Sequence, residues 1–75
     1  MEPQRVLRAT FDPAADAAYV YLLPADAVEP SVARTVAVDA AINLDFDDED
    51  RLIGVEILSS AALHPALLDE IVGRA

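Results

Sequence analysis

The chain contains no cysteine, no lysine and no tryptophan, has only two glycines, and carries no apolar run approaching membrane-spanning length. Without cysteine there is no disulfide, no thiolate nucleophile and no Cys-based metal site. Gly54 and Gly73 are too few and too far apart to build a phosphate-cradling loop. A single histidine, His64, cannot by itself make a zinc site or a nucleophile–base pair. The missing lysines leave Arg5, Arg8, Arg34, Arg51 and Arg74 as the only side-chain cations against fourteen acids, a formal charge of −9. Nothing here clusters cations for counterion release, so nucleic acid and anionic membrane surfaces are not expected partners. A basic protein is the partner that the charge would suit. The opening Met1-Glu2-Pro3-Gln4-Arg5 lacks the charged-then-apolar order of a signal peptide, and a cytoplasmic location is expected.

What is present is mostly apolar: 55% of the residues are hydrophobic, fifteen of them alanine. Alanine-rich, arginine-only composition suggests a GC-rich bacterial genome. Seventy-five residues allow a single domain, residues 1–75. A chain this short buries only roughly 60–65% of the surface its unfolded form exposes, so its core is marginal. With no disulfide as a staple, self-association into a homo-oligomer is the expected support.

Hydropathy alternates through most of the chain. Residues 5–11 read as a strand with Leu7, Ala9 and Phe11 on one face, and Asp12-Pro13-Ala14-Ala15-Asp16 as a turn in which the Asp carboxylate accepts nearby backbone N–H groups. Residues 17–23 return as the second strand of a hairpin. Pro24 and Pro30 bracket a loop from Ala25 to Glu29. Ser31–Asp39 alternates with Val32, Val36 and Val38 on one face, and Ala40-Ala41 is a bend or a tight turn. Ile42, Leu44 and Phe46 alternate with Asn43, Asp45 and Asp47 in the plainest amphipathic strand. Asp47-Asp48-Glu49-Asp50 is a polar turn, and residues 51–58 form a last strand. Leu67, Leu68, Ile71 and Val72 then recur at helical spacing, with Pro65 suited to the first helical position, Gly73 to the end, and Arg74 to the negative end of the helix dipole. Ser59–Leu63 is a turn or an extra helical turn. The expected architecture is α+β: an antiparallel meander of four to five strands with one C-terminal helix packed on it.

Two segments also carry a family resemblance. Phe11-Asp12-Pro13-Ala14-Ala15-Asp16-Ala17-Ala18-Tyr19-Val20 resembles the opening "YDPEADALYI", and Leu44 to Leu58 resembles "LDYDEDGRIVGIEIL". Both motifs belong to domain-of-unknown-function family 2283, small prokaryotic proteins. The resemblance implies the fold and brings no assigned catalytic residue. Asp50 stands where that motif has its turn glycine, so a left-handed backbone is expected at Asp50, which aspartate tolerates better than most residues.

The side chains that could carry chemistry have plainer alternative roles. Asp45, Asp47, Glu49 and Glu56 fall at positions 1, 3, 5 and 12 of a calcium-loop spacing and are the metal-ligand candidates. Position 6 of that loop needs glycine and is Asp50, and the flanks alternate as strands rather than helices. A solvated hairpin turn, with Asp45 and Asp47 on the solvent face, is therefore the expected reading. Asp12 and Asp16 read as turn caps. Glu56 sits in an apolar strand, and Arg8 or Arg34 is its expected ion-pair partner. Ser59 and Ser60 lack a nucleophile-elbow context and read as helix-start residues. Tyr19 and Tyr21 share one face of the second strand, opposite Ala18, Val20 and Leu22, and are the interface candidates. No catalytic site and no cofactor is expected. The leading expectation is a self-associating protein-interaction module, possible forms including an antitoxin-like partner of a small basic protein. The alternative is a small-ligand or divalent-cation binder using the Asp-rich hairpin.

Overall fold

The computed structural model describes residues 7–24, 27–28 and 30–75. Five strands form one antiparallel sheet: β1 (Leu7–Asp12), β2 (Ala17–Pro24), β3 (Arg34–Ala37), β4 (Ile42–Phe46) and β5 (Leu52–Ile57). A single 3-10 turn (Ser60–Ala62) leads into the helix α1 (Pro65–Arg74). The spatial order is β1-β2-β5-β4-β3. The β1–β2 hairpin and the β3–β4–β5 meander are thus joined edge to edge, with the last strand inserted beside β2. This is the α+β arrangement read from the alternation.

The turns follow from their side chains. Asp12 Oδ1 accepts from the N–H groups of Ala14 (3.0 Å) and Ala15 (3.4 Å), closing the first hairpin. Asp16 completes it with φ 54°, and its Oδ2 accepts from Ser60 N, tying this turn to the 3-10 segment. The Ala40-Ala41 alternative resolves as a tight turn: Asp39 Oδ1 accepts from Ala41 N at 2.7 Å and Ile42 N at 3.0 Å. That early turn shortens β3. Val32 and Val38 lie outside it and are exposed, and only Val36 of the expected valine face is half-buried within the strand. Arg5 and Val6 of the first expected strand, and part of the Ala25–Glu29 loop, lie outside the described residues.

The alternation sorts the strands into two faces. Ala9, Ala18 and Ile57 are buried on one, with Phe11, Val20, Ile42 and Val55 packed beside them. Onto this face α1 lays Ile71, and Leu63 joins from the approach to the helix. Burying one Ile side chain contributes about 1.5–3 kcal/mol, so Ile71 is the helix's main anchor. The helix begins at Pro65, with His64 as its N-cap: His64 Nδ1 accepts from Ala66 N at 3.1 Å. Gly73 lies inside the last turn rather than ending it, and Arg74 closes the helix. The expected apolar stripe is only half used. Ile71 is buried and Leu68 half-buried, but Leu67 is 49% and Val72 47% exposed, because α1 packs mainly over the edge strand β1.

Candidate functional site

The second face of the sheet carries the polar chemistry. Register sets Tyr19 across from Glu56, Tyr21 across from Gly54, Glu56 across from Asn43, Gly54 across from Asp45, and Asp45 across from Thr35. Directly paired residues share a face, so these side chains from four strands lie together, opposite Ala18, Val20 and Ile57. Ile71 of α1 and Leu63 pack on the Ala9–Ala18–Ile57 face, so among the described residues the helix α1 does not cover this one.

Tyr19 crosses the sheet diagonally. Its hydroxyl passes over Gly54 and donates to Asp45 Oδ2 at 2.6 Å. A Cβ at Gly54 would overlap that hydroxyl and lie 2.8 Å from Tyr19 Cε2, well inside van der Waals contact. Glycine in this strand interior therefore marks a close approach, here of an aromatic side chain. From the other side, Thr35 Oγ1 donates to Asp45 Oδ1 at 2.6 Å. Each carboxylate oxygen of Asp45 thus has its own hydroxyl donor, and the group is only 8% exposed. Beside it, Asn43 Nδ2 donates to Glu56 Oε1 at 2.9 Å. Tyr19 and Tyr21 meet edge to face with ring centroids 4.7 Å apart, and the Arg8 guanidinium lies 4.1 Å above the Tyr21 ring.

Several expectations change on this geometry. Asp45 is on the expected face yet buried, because Tyr19 and Thr35 close over it. Asp47 is not on a solvent face either. At 7% exposure it is the keystone of the β4–β5 turn, with Oδ1 accepting from Glu49 N and Arg51 N, both at 2.9 Å, and Oδ2 from Arg51 Nε at 2.8 Å. The Arg51 backbone N–H does most to hold the Asp47 carboxyl below its ordinary range. Burial opposes this, and the Arg51 guanidinium and the Glu49 N–H assist it. The hydrogen bond from its side chain to Asp47 does most to raise Arg51. Asp50 has φ 65°, the left-handed backbone expected of it, and its Oδ1 accepts from Arg34 Nε at 3.1 Å. Glu56 is half-buried, and its partner is Asn43 rather than Arg34, which lies over the Phe46 ring and reaches Asp50.

The four metal-ligand candidates do not converge. Asp45 is bonded across the sheet, Asp47 folds into its own turn, Glu49 is exposed near Arg51 at 3.4 Å, and Glu56 pairs with Asn43. Among the described residues, no three His, Cys, Asp or Glu side chains gather to hold a metal ion. Thr35, Asn43 and Gly54 have no site role in the sequence reading, and only the isolated strand glycine offered a signal for them. The arrangement is a fixed polar and aromatic surface: the best-placed carboxylate already has a donor on each oxygen, so it presents no open base.

Among the described residues no helix is long and apolar enough to cross a membrane. No curated protein and no solved structure matches the chain. The sheet itself carries a family signature, running from Arg8 in β1 to Ser60 at the start of the 3-10 turn and leaving α1 outside it. On that match over residues 8–60, the chain belongs to the family described as protein of unknown function (DUF2283).

Proposed function

We propose that this protein is a self-associating protein-interaction module, and that the open face around Tyr19, Tyr21 and Arg8 is the surface it offers to other proteins. The observation that carries the reading is the Tyr19–Tyr21–Arg8 assembly on the sheet face opposite the one that, among the described residues, α1 covers. Tyrosine and arginine dominate binding energy at protein interfaces, and side chains already locked in place lose little entropy on binding. Here Tyr19 is held by Asp45, and Tyr21 by its ring and guanidinium neighbours. A formal charge of −9 favours a basic partner and speeds encounter with one.

Self-association has separate support. Among the described residues the buried hydrophobic ones are Ala9, Ala18, Ile53, Ile57 and Ile71, two of them alanines, and no large side chain is fully buried. Half of the helix stripe faces solvent. Light scattering at micromolar concentration and physiological salt tests the reading, with at least twice the 8.0 kDa chain mass expected. A mass of one chain would refute self-association. For the open face, a basic protein retained from a host lysate by the wild type and lost with Tyr21→Asp is the expected result. Equal retention by the variant would move the contact elsewhere.

A further inference from the structure

The sheet has two edges, β1 and β3, and they are not equivalent. β3 is four residues long, Arg34-Thr35-Val36-Ala37, with no acid to oppose its arginine. β1 is six residues, Leu7-Arg8-Ala9-Thr10-Phe11-Asp12; among the described residues no strand pairs with its outer side, and at its start Arg74 Nη1 of α1 donates to Leu7 O at 3.5 Å. Natural edge strands are usually blunted by proline, a bulge or an inward charge. β1 has no proline, and the register irregularity near its start puts the extra residues on β2: Leu7 opposes Pro24 whereas Ala9 opposes Val20. Its outer backbone is a regular template.

The β1 sequence is also complementary to itself. A two-fold axis through Thr10 pairs two antiparallel copies so that Arg8 faces Asp12 of the second copy and Ala9 faces Phe11 of the second copy. Arg8, Thr10 and Asp12 lie on the open face with Tyr19, so opposite charges meet on one side. Leu7, Ala9 and Phe11 lie on the helix side, where the small Ala9 meets a large Phe11. Opposite charges and large–small apolar pairs directly across an antiparallel ladder are favourable contacts. A guanidinium carries five N–H donors in one plane, so stacking over Tyr21 and pairing with a carboxylate are compatible.

A groove of about 450 Å³ runs beside this edge on the helix side, between Leu7, Ala9 and Val20 of the sheet and Leu67 and Ile71 of α1. Leu67 is one of the two exposed residues of the helix stripe. Edge pairing through β1 brings the α1 of a second copy alongside that groove, on the same side of the sheet.

We infer that the occupant of this edge and groove is a second copy of the same chain, forming a two-fold dimer with a continuous ten-stranded sheet and a pair of helices on one face. This rests on the self-association proposed above and assigns its contact, leaving the Tyr19–Tyr21 face open for another protein.

The chain's lack of cysteine makes a direct test possible. Residues directly opposed in an antiparallel pair have Cα atoms roughly 4.5–5.5 Å apart, within disulfide range. Under mild oxidation Thr10→Cys should form an intermolecular disulfide in most of the protein, whereas Ala37→Cys on the β3 edge should not. Charge reversal gives a second readout. Arg8→Asp and Asp12→Arg should each weaken the dimer by about tenfold or more, as like charges oppose one another twice. Mixing the two variants should restore a dimer of one copy of each, because every pair is then complementary. Circular dichroism checks that both variants remain folded. A wild type with the mass of one chain would overturn the self-association and this contact together. A dimeric wild type that cross-links through Ala37→Cys and not Thr10→Cys would overturn the β1 contact alone, as would a charge-reversed pair that assembles no better mixed than apart.

Discussion

Gly54→Ala is the smallest change that reaches the polar face, a single methyl group placed where the Tyr19 hydroxyl sits. The tyrosine has only two side-chain torsions and must swing out, which breaks its bond to Asp45 and its contact with Tyr21. A hydrogen bond to a charged acceptor contributes about 1.5–3 kcal/mol, and an aromatic edge-to-face pair about 0.5–1.5 kcal/mol. Against this, replacing glycine inside a strand gains about 0.5–1 kcal/mol in chain entropy. The net expectation is a loss of about 2–3 kcal/mol, large beside the roughly 4–11 kcal/mol that 75 residues typically hold.

Urea unfolding followed by circular dichroism measures this directly, and in a thermal scan it corresponds to a drop of roughly 10–20 °C. Protein concentration must be held fixed, since association shifts the apparent stability. The decisive control is the same substitution in a Tyr19→Ala background. With the ring gone, the three atoms nearest the added methyl go with it and the entropy gain remains, so the sign should reverse to a stabilisation of about 0.5–1 kcal/mol. A Gly54→Ala protein within about 0.5 kcal/mol of wild type, or one equally damaged in both backgrounds, would refute the account of Gly54 as the passage for Tyr19.

Asp50→Gly relieves a left-handed backbone, a gain of about 0.5–1 kcal/mol, but gives up an exposed pair with Arg34 worth about 0–1 kcal/mol. A small net gain is expected by urea unfolding, larger in an Arg34→Ala background, and a clear loss in that background would contradict the strain argument. Asp47 binds its proton more weakly folded than unfolded, so its contribution is fully present above the ordinary carboxylate range and is lost as pH falls through its lowered folded value. Unfolding midpoints measured from pH 7 down to pH 2 should fall at the acid end, and Asp47→Asn should flatten that fall; an unchanged acid limb would contradict the assignment. Millimolar Ca²⁺ should move the melting temperature only slightly, because Asp45 and Asp47 already have their donors. A large shift at micromolar Ca²⁺, abolished by Asp45→Ala, would restore the cation-binding alternative.

The elements of this fold are legible where local rules and tertiary packing agree. Ile42, Leu44 and Phe46 alternate and form β4; Asp12 before Pro13 caps the first turn; Pro65 opens the helix. The strand order is less so, since alternation marks a strand without naming its neighbour, and β5 sits between β2 and β4. The valines around β3 misled for a related reason. Their spacing permits a nine-residue strand, but Asp39 captures the backbone of Ala41 and Ile42, so the chain turns just after Val38 N donates to Ile42 O and the Val38 side chain stays exposed.

The acids at 45, 47 and 50 show where sequence reading stops. They stand within six positions of one another and look alike as part of an acidic run, yet each is held differently. Asp47 finds its donors on Glu49 and Arg51, two and four residues away, so a turn reading captures its surroundings almost completely. Asp50 shows in its left-handed backbone, a local property that the glycine of the family motif already implied. The donors of Asp45 come from Tyr19 and Thr35, 26 and 10 residues distant, on strands to either side of it. Period-two alternation assigns Asp45 its face correctly and still misjudges its burial. Alternation describes which layer packs on a strand, whereas Asp45 is covered by side chains of its own sheet. Burial of that kind requires an acceptor, two hydroxyls and a missing Cβ to coincide across four strands. It becomes visible only once the register has brought Gly54 between Tyr21 and Asp45.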